Sequence, residues 1–320
     1  MIEVREALSV GDLEAFLRLP ERVYRGDPFY VPSQGILATL RGAQRALVAL
    51  DGGEPVARVA VWRSASVGIL GLFEALDGHP EAVARLFQEA IGWLQTESIV
   101  GPMDGDTWHR YRVNVGPFDQ PPFLSEPYNP PYYEALWTAN GFTVLERYYS
   151  KRVDPAAVVA FLADKRNATG YRLRSLDRSR FRDELRTIYE LSRRIFARNF
   201  LYTEISEDDF LRLYDGAERL VDPDLVLFAH APDGEAVGFL FAYPDQGGAV
   251  DFKTLGVLPE HRRSGVAAAL FHEGHRRAVE KGHRVAIHCL FKEGNPSGEL
   301  DGGAGSLLRT YHLYRYTPGA

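Results

Sequence analysis

Residues 254–270, which read T-L-G-V-L-P-E-H-R-R-S-G-V-A-A-A-L, carry the residue types and spacing that point most directly to chemistry. Leu255 and Val257 alternate with smaller residues, as in a β-strand. Pro259 ends that strand, because proline has no amide hydrogen to donate to a ladder. A basic turn follows, and the spacing of apolar residues predicts an amphipathic helix from Gly265.

A strand, a basic turn and a helix start together predict an anion site. The first amides of a helix have no partner within it, and the helix dipole adds about half a positive charge there. Gly265 allows close approach of a ligand to the backbone, and Arg262 and Arg263 add full charges. A pyrophosphate fits this site better than a metal or a base edge. The alternative is an ordinary strand-to-helix turn whose arginines face solvent.

The turn resembles motif A of the GNAT (Gcn5-related N-acetyltransferase) superfamily, whose core is Gln or Arg, two residues, Gly, any residue, then Gly or Ala. The matching residues are Arg262, Arg263, Ser264, Gly265, Val266 and Ala267. The resemblance implies that these residues bind the pyrophosphate of acetyl-CoA or another acyl-CoA as co-substrate. It also implies that a backbone amide of Leu255, Gly256 or Val257 polarises the thioester carbonyl.

A transfer of this type also needs a base to take the proton of the ammonium group. Asp251, on the strand before the turn, is the predicted base, and Asp245 just upstream is a second candidate. Asp251 could equally be a solvated carboxylate paired with Lys253, and Asp245 a plain turn residue.

An acid can protonate the departing thiolate. For this role the resemblance implies a tyrosine from a segment near the end of the family's domain, and the second half of this chain lacks that segment. Tyr311 is the predicted substitute and Tyr314 its neighbour, although aromatic residues on a strand are more often core. Asn295 matches an asparagine that the family often has at the end of the strand after the helix that begins at Gly265 here. It is predicted to line the coenzyme side of the active site.

The two halves of the chain repeat one order of elements. Each half is predicted to have a strand, a helix, a hairpin, a further strand, a long helix and another strand. Gly53-Glu54-Pro55-Val56 matches Gly234-Glu235-Ala236-Val237, which favours a tandem duplication. Together with the resemblance, this duplication implies an α/β (α+β) fold class with two tandem GNAT-like domains, each a mixed, mostly antiparallel sheet flanked by helices. The predicted limits are 1–153, a linker at 154–169, and 170–320.

The predicted coenzyme motif is present only in the second half. Aligning the long helices places Glu81 opposite Gly265, and a carboxylate there would repel a pyrophosphate. The first half is therefore predicted not to bind coenzyme A in this way. It keeps a different family signature, Tyr132-Tyr133-Glu134 followed by Gly141-Phe142.

Composition and net charge argue against nucleic-acid binding, membrane association and metal binding. The 320 residues carry a net charge of −6 and no basic run interleaved with aromatic residues, which argues against a nucleic-acid partner. Cys289 is the only cysteine, and no apolar run approaches membrane-spanning length. We expect a cytoplasmic protein with no membrane association. His272 and His275 are predicted to lie on the solvated side of their helix, so no metal is expected. The assembly state is open, a homodimer included.

The sequence predicts an N-acyltransferase, in the simplest case an N-acetyltransferase. It would move an acyl group directly from acyl-CoA to the amine of a small-molecule or amino-acid-like acceptor, using binding energy chiefly to align the two substrates. The main alternative is a coenzyme-binding or structural protein without turnover. An aromatic set in the first half could line an acceptor pocket or simply pack, and packing is favoured; it comprises Trp108, Tyr111, Phe123, Tyr128, Tyr132 and Tyr133.

Overall fold

Runs of β-branched and aromatic residues form the strands, and Gly, Pro and Asp turns separate them. The structure is a computed structural model that describes residues 1–32, 35–64, 66–166, 168–245 and 247–319. Within them the strands are β1 Ile2–Glu6, β2 Arg45–Asp51, β3 Glu54–Arg63, β4 Val67–Ala75, β5 Ser98–Gly101, β6 Val113–Gly116, β7 Thr143–Val153, β8 Arg172–Ser175, β9 Val226–His230, β10 Ala236–Pro244, β11 Val250–Val257, β12 Ala286–Lys292 and β13 Ser306–Tyr316.

The helices begin at a capping side chain, at a proline, or without any side-chain cap. These are α1 Val10–Val23, α2 Ile36–Arg41, α3 Pro80–Leu94, α4 Tyr133–Ala139, α5 Pro155–Leu162, α6 Phe181–Phe196, α7 Glu207–Leu213 and α8 Val266–Glu280. Ser206 caps the start of α7, because its hydroxyl accepts a hydrogen bond from the amide of Asp209 at 3.1 Å. No helix in the described ranges has both the length and the apolar character needed to span a membrane.

The chain folds into two compact units. The first unit comprises Met1–Pro122, Glu126–Arg147 and Tyr311–Ala320, and the second comprises Phe123–Ser125 and Tyr148–Thr310. These units do not end at the predicted domain limits of 153 and 170. The C-terminal residues fall in the first unit because the end of β13 pairs with β5, with Tyr314 opposite Gly101.

The first unit contains an antiparallel run of strands that ends in one parallel pair. β1, β2, β3 and β4 follow each other in space, and β4 and β5 lie parallel. Helix α3 connects β4 to β5. Its buried face packs on the sheet through Val83, Leu86 and Phe87, in one core with Trp137.

The second unit repeats this arrangement. β8, β9, β10 and β11 are antiparallel neighbours, β11 and β12 lie parallel, and α8 connects them. β12 also pairs with the end of β7. The predicted class, a mixed and mostly antiparallel sheet flanked by helices, is confirmed for both units.

The segment predicted as a linker contains a helix. Asp154 accepts a hydrogen bond from the amide of Ala156 at 2.9 Å, and Pro155 occupies the first helical position of α5. Val158 and Leu162 are buried, and α5 packs against α8. Asn167 of the same segment lies outside the described residues.

Candidate active site

The turn between β11 and α8 has the geometry of an anion cradle. A 3-10 turn over Pro259–His261 follows the strand, and Gly265 caps the helix with φ +83°. Arg263 also has a positive φ, +67°, which is uncommon for a residue with a side chain. A backbone in which residues with positive and negative φ alternate turns successive N–H groups toward one concave side, where an anion binds.

The first amides of α8 are available to a ligand. The first helical hydrogen bond runs from the amide of Ala269 to the carbonyl of Gly265, at 2.9 Å. The amides of Val266 and Ala267 therefore have no acceptor within the helix. No side chain caps this end of α8 in the described structure, so the backbone is left to bind an anion.

Polar side chains of the turn donate hydrogen bonds to nearby backbone carbonyls. The guanidinium of Arg262 donates to the carbonyls of Val257 and Ile195, both at 3.4 Å, and so braces the turn against β11 and α6. Ser264 donates to the carbonyl of His261 at 2.6 Å. Arg262 and Arg263 are both exposed, and the hydrogen bonds of a guanidinium to backbone carbonyls come from Arg262.

The parallel strands β11 and β12 separate beside this cradle. Their pairing joins Val250 to Ala286, Asp251 to Ile287 and Phe252 to His288. β11 continues to Val257 and stays paired with β10 only, while β12 continues to Lys292 and stays paired with β7. The edge of β11 that carries Leu255, Gly256 and Val257 therefore opens onto a fork, within the part of the chain described.

One face of the sheet at the fork is filled by rings. Phe252 stacks on His275 with ring centroids 3.8 Å apart, and Phe271 lies 4.7 Å from His288. The prediction that His272 and His275 lie on the solvated side of α8 is wrong, since they are 6% and 0% exposed. His275 projects toward the sheet, where its ring stacks on Phe252, and burial lowers the pKa of both His272 and His275.

A hydrogen bond joins two of these histidines. Nδ1 of His275 donates to the carbonyl of Phe271 at 2.7 Å, so its Nε2 accepts from Nε2 of His288 at 2.9 Å. Burial lowers the pKa of His275 well below its usual value. Burial and the charge of Lys151 lower the pKa of His288 to about 3. Both rings are therefore neutral at pH 7.

Asp251 lies on the opposite face of the fork. It is directly opposite Tyr243 on β10 and Ile287 on β12, and it is 0% exposed. The alternative of a solvated carboxylate is therefore wrong; Lys253 instead places its ammonium 5.8 Å from the ring centre of Tyr214. Burial raises the pKa of Tyr243 well above its usual value, and Cys289 and Asp251 raise it further.

A short segment from the first half of the chain covers this face. Phe123 is 5% exposed and packs in a cluster with Ile287 and Cys289. The amide of Leu124 donates to Asp245 at 3.1 Å, and its carbonyl accepts from Tyr243 at 3.0 Å. No local pattern in the sequence indicates this strap, Phe123–Ser125, because its partners are more than a hundred residues away.

The other predicted site residues lie elsewhere. Tyr311 belongs to the first unit, is fully buried and donates to the carboxylate of Glu126. Tyr314, also fully buried there, stacks on Trp137. Asn295 is exposed and caps a 3-10 turn by accepting from the amide of Ser297 at 3.0 Å. The structure does not bring Tyr311 and Asp251 into one unit.

The first unit has the same fork, but its own chain fills it. β4 and β5 pair only up to Ile69 and Val100. Beyond that point Met103 and Asp104 form a plug: the amide of Met103 donates to the carbonyl of Leu70 at 2.8 Å, and Asp104 accepts from the amide of Leu72 at 2.6 Å. A Cβ on Gly71 would lie 1.9 Å from the carbonyl oxygen of Met103, so the plug sits directly against the strand.

A polar network lies next to this plug. Glu74 is 2% exposed and accepts from the hydroxyls of Tyr24 at 2.9 Å and Tyr133 at 2.7 Å. Arg110 bridges Glu74 and Asp104. Burial and the charge of Glu74 raise the pKa of Tyr133 well above its usual value. A small open cleft adjoins the network, and Tyr111, Tyr128 and Tyr133 of the aromatic set line it.

Comparisons with known proteins agree with this geometry. Residues 185–297 match the model of the acetyltransferase (GNAT) family. Protein YghO of Escherichia coli is 25% identical over 76% of this chain and 68% of its own length. The bacterial ceramide synthase of Caulobacter vibrioides is 26% identical over 55% of this chain, and the match spans half of that protein.

A solved structure shows the same fold over the whole chain. It is a tandem GNAT protein from the clavulanic acid biosynthesis pathway, 13% identical, with a TM-score of 0.54. The match covers 100% of this chain and 99% of that one. The matched family residues include the fork, the cradle and α8. Residues 185–297 of this chain therefore match the acetyltransferase (GNAT) family in sequence, and the chain shares the fold of a tandem GNAT protein.

Proposed function

We propose that this chain is an acyl-CoA-dependent N-acyltransferase with one coenzyme site, in the second unit. The observation that supports it most is the combination, in a GNAT domain, of uncapped amides at the start of α8 with an open edge of β11. The amides of Val266 and Ala267 and the charge of Arg263 bind the pyrophosphate. The residues of the GNAT domain fit coenzyme A because no side chain caps this end of α8 in the described structure.

The rest of the coenzyme follows the free edge of β11. Leu255, Gly256 and Val257 offer backbone groups there, as a strand edge does to an added strand. The thioester then lies where β11 and β12 separate. A backbone amide at this position stabilises the oxyanion that forms when the amine attacks the carbonyl carbon.

Proton transfer completes the reaction. The nitrogen of the acceptor forms the amide bond, the carbon–sulfur bond breaks, and the thiolate leaves as coenzyme A. Asp251 remains the proposed base, because it is the carboxylate on β11 at the fork. Tyr311 remains the proposed acid, although its hydroxyl donates to Glu126 within the first unit.

A second function, coenzyme binding without turnover, is favoured by one observation. Asp251 is fully buried, and a buried carboxylate has no direct route to a dissolved amine. An assay of thiol release distinguishes acyl transfer from coenzyme binding without turnover.

Release of free thiol from acetyl-CoA is measured with a panel of amines that includes amino acids and a long-chain amino alcohol, because one relative is named a ceramide synthase. Amine-dependent thiol release supports transfer. Tight binding of coenzyme A without release, across acyl donors of several lengths, supports the alternative. Absence of coenzyme binding would contradict both.

A further inference from the structure

Whatever acyl group the coenzyme carries must occupy space at the fork. The face toward α8 offers none, since Phe252, Phe271, His275 and His288 are buried and in mutual ring contact there. The acyl group is therefore directed to the opposite face of the sheet.

Phe123 lies on that opposite face. Side chains of neighbouring strand residues in register share a face, so Asp251 and Ile287 lie together, with Cys289 two residues along β12. Ile287 and Cys289 are each 8% exposed, and Phe123 packs with them at 5% exposure. The benzyl group thus occupies the volume into which an acyl chain would extend.

The backbone of the strap is fixed in place at the same point. Leu124 is held by hydrogen bonds at its amide and at its carbonyl, to Asp245 and Tyr243. Ser125 has φ +65°, a conformation that costs energy for a residue other than glycine. Such strain persists only where surrounding contacts hold it, and here the hydrogen bonds of Leu124 and the packing of Phe123 hold the strap against this face.

We propose that Phe123 sets the acyl-chain selectivity of the site, limiting it to short-chain acyl thioesters such as acetyl. This inference rests on the proposed function, because it assigns a substrate class to the same coenzyme site. Removing the ring opens a channel over Ile287 and Cys289 in which further methylenes are buried.

The test compares affinities, which do not depend on turnover. Calorimetry measures binding of coenzyme A, acetyl-CoA and octanoyl-CoA to the wild-type chain, to Phe123→Ala and to Phe161→Ala. Phe161 is the matched control, since it lies on α5 in the same unit and is 37% exposed. We expect octanoyl-CoA to gain roughly tenfold or more in affinity in Phe123→Ala only. Each newly buried methylene contributes about fourfold at 0.8 kcal/mol.

Outcomes separate the two claims. Failure of coenzyme A to bind any of the folded proteins overturns the proposed function. Normal binding of coenzyme A, with octanoyl-CoA bound by the wild type as tightly as acetyl-CoA, overturns the role of Phe123 alone. The comparison of octanoyl-CoA with acetyl-CoA on the wild type remains valid even if Phe123→Ala does not fold. In that case a larger side chain replaces the test by removal: Phe123→Trp should reduce the affinity for butyryl-CoA relative to acetyl-CoA.

Discussion

Replacing Gly265 by Glu and, separately, by Gln isolates the charge that the cradle is built to attract. Gly265 has φ +83°, so either side chain strains the backbone by roughly 1–2 kcal/mol and lowers the stability of both variants alike. The two side chains have nearly the same size, and only Glu places a negative charge beside the amides of Val266 and Ala267.

The charge alone has a definite magnitude. Two unit charges about 4 Å apart repel by about 1 kcal/mol in water and about 4 kcal/mol near a protein surface. Coenzyme A should therefore bind roughly fivefold to a thousandfold more weakly to Gly265→Glu than to Gly265→Gln. The difference should shrink as salt is added, because the charges are exposed to screening.

Isothermal titration calorimetry at low and high salt measures both effects, and circular dichroism checks that each variant is folded. Equal affinities of folded Gly265→Glu and Gly265→Gln for coenzyme A would refute the electrostatic reasoning.

Other substitutions probe the base, the plugged fork of the first unit and the buried histidines. Asp251→Asn should lower the turnover number at least tenfold and leave the affinity for coenzyme A unchanged; an unaltered pH–rate profile would remove Asp251 as the base. Glu81→Gln should leave that affinity unchanged, since the first unit's fork is filled by Met103, and tighter binding would show that the first unit takes part. Gly71→Ala should destabilise the first unit by several kcal/mol in urea melts, because the new methyl meets the Met103 carbonyl; wild-type stability would contradict the plug. The free energy of unfolding should fall as the pH drops below about 6.5, because His275 and His288 take up protons in the unfolded chain but not in the folded one. The slope is at most about 1.4 kcal/mol per pH unit for each ring. Urea melts from pH 7 to 5 measure that slope, which His288→Gln should flatten. His283→Gln should not flatten it, since His283 is only half-buried and its ring donates a hydrogen bond to the carbonyl of Gly248.

The sequence predicted local structure well where one physical signal dominated. The alternation of Leu255 and Val257 predicted the strand that ends β11, and the apolar spacing after Gly265 predicted α8. The strand, turn and helix around Gly265 follow from proline, glycine and helix periodicity alone. These are all signals read from neighbours within a few residues.

Long-range packing explains most of what the sequence did not reveal. His275 is polar by residue type, yet it is buried because His288, thirteen residues later, supplies a hydrogen bond. Phe123 lies in a proline-rich region with no periodicity, and its partners Ile287 and Cys289 come from the far end of the chain.

One omission did have a local signal. Asp154 followed by Pro155 is a helix start, and α5 begins there inside the segment predicted as a linker. Composition hid it, because the short run that follows is apolar on all sides and lacks an amphipathic pattern.

A crystal structure of the chain with coenzyme A tests the central claim most directly. We predict pyrophosphate oxygens at about 2.7–3.2 Å from the amide nitrogens of Val266 and Ala267, and no coenzyme in the first unit. A pyrophosphate bound in the first unit's cleft, or α8 amides left without contact to a coenzyme bound elsewhere, would contradict it.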